Sequence, residues 1–115
     1  MIAHVVLCTL KPDLADTDRE QFARTIASAL SSISHIRRSS IGRRLGAPDA
    51  YGATSNPYDY VAVLEFDDEA ALRRYLEHPA HAELASMFWK CCERTLVGDY
   101  AIASPASPLT SAFIS

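Results

Sequence analysis

A tyrosine and two histidines lie close together in the segment Tyr75-Leu76-Glu77-His78-Pro79-Ala80-His81. Pro79 has no backbone N–H and keeps the residue before it out of the helical region, so a helix that reaches Glu77 has to end there. Proline also suits the first position of a new helix, which makes His78 the predicted N-cap and places His81 in the first turn. The segment is therefore predicted to be a corner between two helices.

His81 has the residue type and the predicted position of a general base. The positive end of the helix dipole disfavours an imidazolium ion, so we expect His81 to be neutral near neutral pH. Tyr75, one turn back on the preceding helix, has a phenol that could orient the imidazole or donate to a substrate carbonyl. The segment predicts a proton-transfer site; the alternative is a purely structural corner, with His78 as a cap and His81 hydrogen-bonded to backbone or to Tyr75.

Composition limits the class of protein. The chain has 115 residues, of which 49% are hydrophobic and 22% charged, as expected for one globular domain. A formal net charge of -3 argues against a nucleic-acid binder. The first residues contain neither a basic leader nor a long apolar run, so we predict no membrane partner and a cytoplasmic location. The three cysteines have no metal-ligand spacing and are expected to be reduced thiols.

The first predicted element is a strand over residues 2–10, which is apolar on both faces. The helices of one chain are expected to cover only one face of the sheet, so we predict that a second copy covers the other face in a homodimer.

Thr17 and Glu20 form a capping-box pattern for the helix that follows the first strand. The buried stripe of this helix is predicted to hold Phe22, Ile26, Ala29 or Leu30, and Ile33, with Thr25 outside it.

The middle of the chain predicts a charged edge strand and a loop. Residues 36–45 carry Arg37, Arg38, Arg43 and Arg44, charges that protect a sheet edge from mispairing. Recognition of an anion by these arginines is the alternative. Residues 46–57 are predicted to be a loop by composition.

The second half predicts a central strand, two helices and a last strand. The strand covers residues 58–66, with Ala62 and Leu64 on one face, and Asp67 and Asp68 open a helix that buries Tyr75 and Leu76. The second helix runs over residues 80–94 and the last strand over 95–103. The order βαββααβ predicts a ferredoxin-like α+β fold, an antiparallel four-stranded sheet with helices on one face. Residues 1–103 are the predicted domain, and residues 104–115 an extended or disordered tail.

The chain resembles the stress-responsive dimeric α/β-barrel (Dabb) family. The resemblance rests on His4-Val5-Val6-Leu7 with Leu10-Lys11-Pro12, on the segment from Tyr58-Asp59-Tyr60 through Glu65-Phe66-Asp67-Asp68, on the corner segment 75–81, and on Asp99-Tyr100. It covers about residues 1–102 and implies a dimeric α/β barrel. Within the family, the corner is similar to that of the olivetolic acid cyclase-type polyketide cyclases, which implies that Tyr75 and His81 are a catalytic pair.

The resemblance also implies a cofactor-free, metal-free reaction on a small apolar or polyketide-like ligand. Where the cyclase pocket has a histidine, this chain has Tyr60. Where that pocket has a bulky aromatic residue on the last helix, this chain has Cys92. The cavity predicted between helices and sheet is lined by residues expected to bind substrate: His4, Val6, Tyr60, Ala62, Leu64, His78, Leu84, Met87 and Phe88. The alternatives are a non-enzymatic stress-responsive dimer that binds a small apolar molecule, cofactor-independent oxygenation, and a metal held by His4, His78 and His81.

Overall fold

The computed structural model describes residues 1–46 and 49–114. Its elements follow in this order: β1 (Ile2–Leu10), α1 (Asp16–Ser32), β2 (Arg38–Arg43), a 3-10 helix (Asp49–Thr54), β3 (Tyr60–Phe66), α2 (Glu69–Glu77), α3 (Pro79–Cys91), β4 (Cys92–Ala101) and α4 (Thr110–Phe113). The predicted loop 46–57 and the predicted tail 104–115 each extend over residues outside the described part. The tail contains one helical turn, α4, which the sequence reading did not predict.

The four strands form one antiparallel sheet in the order β2-β3-β1-β4. β1 lies between two neighbours, so that Val5 is opposite both Val63 of β3 and Gly98 of β4. The ferredoxin-like α+β fold is confirmed, and β2 lies at the sheet edge as predicted. Among the described residues, no helix is both long enough and apolar enough to cross a membrane.

The core lies between the sheet and the helices. Phe66 of β3 is completely buried, and Leu64, Ala29 and Tyr75 retain no more than 3% of their exposure. Fully burying a large apolar side chain stabilises a fold by about 1.5–3 kcal/mol, so these residues hold the helices on one face of the sheet.

Both helices of the predicted corner begin with a side-chain cap. Asp68 accepts a hydrogen bond from the backbone N–H of Ala71 at 2.8 Å and starts α2. Nδ1 of His78 accepts from the N–H of Ala80 at 3.0 Å and starts α3, with Pro79 at its first position. The predicted break at Pro79 is confirmed.

The predicted start and buried stripe of α1 were wrong in part. The helix begins at Asp16 after Ala15, with no side-chain cap, and Glu20 lies near Arg24 instead of closing a capping box. Thr25, predicted to lie outside the buried stripe, is buried. Its hydroxyl donates to the Gln21 carbonyl at 2.9 Å, and this bond within the helix makes the burial of a polar group possible.

The boundary between α3 and β4 was also misplaced. The helix ends at Cys91 and Cys92 already belongs to the strand, because Cys92 pairs with Leu10 and the N–H of Lys11 bonds the Cys91 carbonyl at 2.9 Å. Pairing with β1 therefore overrides the helical pattern of this segment.

Leu76, predicted to be buried, is 40% exposed.

The arginines around β2 mostly face carboxylates. Arg37 is 3.2 Å from Asp67, Arg38 is 3.8 Å from Glu65, and Arg44 is 3.2 Å from Asp59. These contacts satisfy three of the four side chains with anions of the chain itself, which favours the edge-protecting role over recognition of a foreign anion.

The two caps give a test of how the helices start. Asp68→Ala should lower the free energy of unfolding by about 1 kcal/mol, because it leaves an N–H of α2 without its partner. Thr17→Ala should change it by less than about 0.5 kcal/mol, since Thr17 makes no cap bond. Urea unfolding of both variants measures the difference, and equal losses would contradict the assignment of the caps.

Candidate active site

A cavity of about 920 Å³ lies between the helical face of the sheet and helices α1 to α3. Nine of the residues predicted for the site line it, namely His4, Val6, Tyr60, Ala62, Leu64, Tyr75, His81, Leu84 and Phe88. His78 and Met87 are not among its lining residues, so their predicted place in its wall was wrong. Nδ1 of His78 is instead used as the cap of α3.

Three rings form a continuous contact on one wall of the cavity. The ring of Tyr75 lies between His4, at a centroid distance of 5.4 Å, and His81, at 4.8 Å, with edge-to-face angles of 63° and 67°. Tyr75 is also packed on Phe66 at 5.3 Å. The aromatic contacts fix the positions of both imidazoles relative to the phenol.

Asp99 orients His4 from the neighbouring strand. The sheet register places Asp99 of β4 opposite His4, and Nδ1 of His4 is 2.6 Å from Oδ1 of Asp99. The carboxylate can only accept, so Nδ1 carries the hydrogen and a neutral His4 keeps Nε2 as an acceptor. The bond also satisfies an imidazole that is only 4% exposed.

His81 has the electrostatics of a base. Burial lowers the pKa of His81 below its ordinary value of 6.5, and the nearby His4 lowers it further, while a hydrogen bond to the Leu76 backbone opposes the shift. The sequence predicted the direction from the helix N-terminus, whereas burial is the largest cause in the structure. The imidazole is therefore neutral and able to accept a proton near neutral pH.

Tyr75 has the electrostatics of a donor. Burial, and then the negative charge of Asp99, raise the pKa of Tyr75 to about 12. The phenol therefore keeps its proton at neutral pH. Its ring contacts His81 edge to face, and Tyr75 lines the cavity, where its phenol can donate to a bound molecule.

Sequence reasoning missed Asp99 as a site residue and missed the thiols of Cys8 and Cys92, which also line the cavity. Asp99 was visible only as part of a family motif, and its partner His4 is 95 positions away. The local sequence offered one further signal for Asp99 as a site residue, namely a carboxylate within an otherwise mostly apolar strand segment, directly before Tyr100. Cys92 was assigned to a helix, which hid its position beside β1.

Metal binding has no support among the described residues. Within that part of the chain, no three His, Cys, Asp or Glu side chains are arranged to hold a metal ion. His4, His78 and His81 therefore do not form the metal site that the sequence left open.

The fold and the ring cluster together define a ferredoxin-like α+β domain with a largely apolar cavity under its helices. The sequence model of the stress-responsive A/B barrel domain, Dabb, matches residues 2–102. The chain therefore belongs to the Dabb family, as the motifs predicted.

Individual relatives are distant in sequence. The stress-response A/B barrel domain-containing protein HS1 of Arabidopsis thaliana is 23% identical over 99 residues, which span 86% of this chain and 87% of HS1. The hydroxynitrile lyase of Passiflora edulis superposes with a TM-score of 0.77 at 20% identity, over 93% of this chain and 96% of the lyase. A dimeric ferredoxin-like protein of Thermobifida fusca superposes with a TM-score of 0.69 at 20% identity, over 88% and 90%. These structures share the fold.

The pKa of His81 can be measured directly. We expect the imidazole of His81 to titrate below 6.5 in NMR spectra, and His4→Phe to move its midpoint upward because one cause of the shift is removed. Above pH 6.5 His81 is neutral in both the folded and the unfolded chain, so its titration does not lower the free energy of unfolding. As the pH falls from there through the folded-state pKa, the unfolded chain binds the proton more readily and stability is lost. A midpoint at or above 6.5 would contradict the buried, neutral base.

Proposed function

We propose that this Dabb-family protein is a cofactor-free lyase or cyclase that moves protons next to a substrate carbonyl. The contact of Tyr75 with both His4 and His81 at the wall of an apolar cavity is the observation that carries the proposal. A neutral imidazole and a protonated phenol at one place are the base and the hydrogen-bond donor that such chemistry requires.

The substrate is a linear poly-β-keto chain, as the resemblance to polyketide cyclases suggests. Nitrogen of His81 removes a proton from a methylene between two carbonyls, and Tyr75 donates a hydrogen bond to the carbonyl oxygen that gains negative charge. The resulting carbanion attacks a second carbonyl of the same chain and closes a ring in an aldol-type step. The proton on His81 then returns to the new alkoxide.

The cavity contributes by orienting the chain. Its walls between the rings and the opposite end are mainly apolar, with Leu64 and Leu84 buried against the core. Apolar walls exclude water from the carbanion and fix one folding mode of a flexible substrate, which lowers the entropic part of the barrier. The Passiflora edulis protein that shares this fold is named a hydroxynitrile lyase, which supports the proposal of lyase chemistry for this chain.

Asp99 and His4 act behind the pair as positioning residues. The hydrogen bond between His4 and Asp99 holds the His4 ring in edge-to-face contact with Tyr75, and His4 also lowers the pKa of His81. The two groups thereby keep His81 in the form that accepts a proton.

We infer that the working unit is a homodimer formed by the open face of the sheet. Alternation along the strands places Leu7, Leu96 and Tyr100 on the face away from the helices, and Leu96 and Tyr100 are 54% and 57% exposed. The Thermobifida fusca protein with this fold is dimeric by its name. A second copy would remove this apolar surface from water.

The base and the donor are tested by single substitutions. With a synthetic poly-β-keto substrate, His81→Ala should lower kcat roughly 10²–10⁴-fold because it removes the base. Tyr75→Phe should lower it by at least about tenfold, since the developing negative charge loses one donor. His35→Ala is the matched control, because His35 does not line the cavity. Cyclised product is measured by chromatography.

The alternative function is a non-enzymatic dimer that binds a small apolar molecule, which the apolar walls of the cavity also suit. If the wild-type protein binds the substrate analogue and yields no product above the His81→Ala background, binding without catalysis is the function. If His81→Ala keeps full activity, His81 is not the base.

The dimer surface is tested separately from the chemistry. Leu96→Lys should convert the dimer to a monomer in sedimentation velocity, because a charge replaces an exposed apolar side chain on the open face of the sheet. Ala27→Lys, at an exposed position of α1, should leave the dimer intact. A monomeric wild-type chain at micromolar concentration would refute the proposed assembly.

A further inference from the structure

Two cysteine side chains meet at the end of the cavity that the rings do not occupy. Cys92 pairs with Leu10 across the sheet, and Cys8 lies two residues from Leu10 on β1, so both side chains project from the same face. Both line the cavity. Cys8 is four residues along β1 from His4, a separation of about 13 Å at the usual strand rise.

The two thiols are not equivalent. The hydrogen bond with Cys92, followed by burial, raises the pKa of Cys8 strongly, so Cys8 keeps its proton. The hydrogen bond from Cys8 is the largest cause that lowers the pKa of Cys92, and Thr95 and the positive charge of Lys11 act in the same direction. Of the two thiols, Cys92 therefore loses its proton more readily, and the thiolate is the reactive form of the side chain.

The neighbouring Cys91 shows the opposite surroundings. Its side chain is completely buried, and burial raises its pKa. Cys91 is not among the residues that line the cavity. Of the three thiols, Cys92 alone combines partial exposure, a lowered pKa and access to the cavity.

The cavity selects which electrophiles reach Cys92. Two apolar lining residues are next to Cys92: Leu10 pairs with it across the sheet, and the Phe88 carbonyl accepts from its backbone N–H. The charged Glu93 and Arg94 also line the cavity, while Leu10 and Phe88 favour an apolar molecule. A thiolate is a soft nucleophile that adds readily to a carbon–carbon double bond conjugated to a carbonyl. The addition needs no oxidant and expels no leaving group, so the chain itself supplies everything except the ligand.

We propose that Cys92 is a covalent-attachment site for an apolar α,β-unsaturated carbonyl compound that enters the cavity. Sγ of Cys92 forms a bond to the β-carbon, and the electron pair of the double bond moves to the α-carbon and the carbonyl oxygen as an enolate. The enolate takes a proton from the thiol of Cys8, which regains a proton from solvent. The product is a thioether at Cys92.

Two vinyl ketones test the site and its preference for an apolar chain. The protein is incubated with 1-octen-3-one or methyl vinyl ketone, and each rate is divided by the rate of the same ketone with glutathione. We expect one adduct per chain by intact mass, mapped to Cys92 by fragmentation. The normalised rate should be at least about tenfold higher for octenone, because its additional methylene groups are buried in the cavity.

Substitutions separate the thiol pair from ordinary surface reactivity. Cys92→Ser should abolish the adduct, and Cys8→Ala should slow it several-fold at pH 7 because the thiolate loses its principal donor. Thr95→Val, at an exposed position of β4, removes a second donor and provides the same test if Cys8→Ala does not fold. Thr17→Val, on the exposed start of α1, is the matched control and should react like the wild type.

Several results would overturn the proposal. An adduct on Cys8 or Cys91, no adduct at all, or equal normalised rates for the two ketones would each exclude a selective site at Cys92. The adduct is read by mass and needs no turnover at Tyr75 and His81, so this outcome is distinguishable from a failure of the proposed lyase or cyclase function.

Discussion

The break in the helix at Pro79 is the constraint on which the site depends. Tyr75 and His81 are six residues apart, and in an unbroken helix of 3.6 residues per turn their side chains would be about 120° apart around the axis, on different faces. Pro79 ends α2 and His78 caps α3, so the chain changes direction between the two rings. The corner allows the rings to approach to 4.8 Å.

The central position of β1 completes the arrangement. Because β1 pairs with β3 on one side and β4 on the other, His4 lies under the helices and beside Asp99 at the same time. A buried imidazole without a partner would be costly, and the carboxylate provides that partner. Sheet pairing therefore joins residues from both ends of the sequence into the wall that supports Tyr75 and His81.

The sequence predicted the features that local chemistry determines. Pro79 and His78 define the corner, and Asp68 supplies the oxygen that starts α2, so these could be read without the structure. The alternation of β3 was also visible, and with the order of elements it was sufficient for the ferredoxin-like fold.

Features that depend on distant contacts were not predictable in the same way. Cys92 has a helical neighbourhood in the sequence and becomes a strand residue because it pairs with Leu10. The role of Asp99 follows from its register with His4, and no local pattern encodes that register. Ala15 precedes α1 and provides no side-chain cap, so the capping-box pattern of Thr17 and Glu20 predicted the wrong start for this helix.

The alternation of side chains along β1 limits how the gene for this chain can change in length. Residues from His4 to Cys8 point in turn toward the helices and away from them. Deletion of one codon between these positions would exchange the two faces, because strand side chains repeat with a period of two. Either the His4 side chain or the Cys8 side chain would then face away from the helices. Codon insertions or deletions should therefore be tolerated in the segment after β2 and rejected within β1.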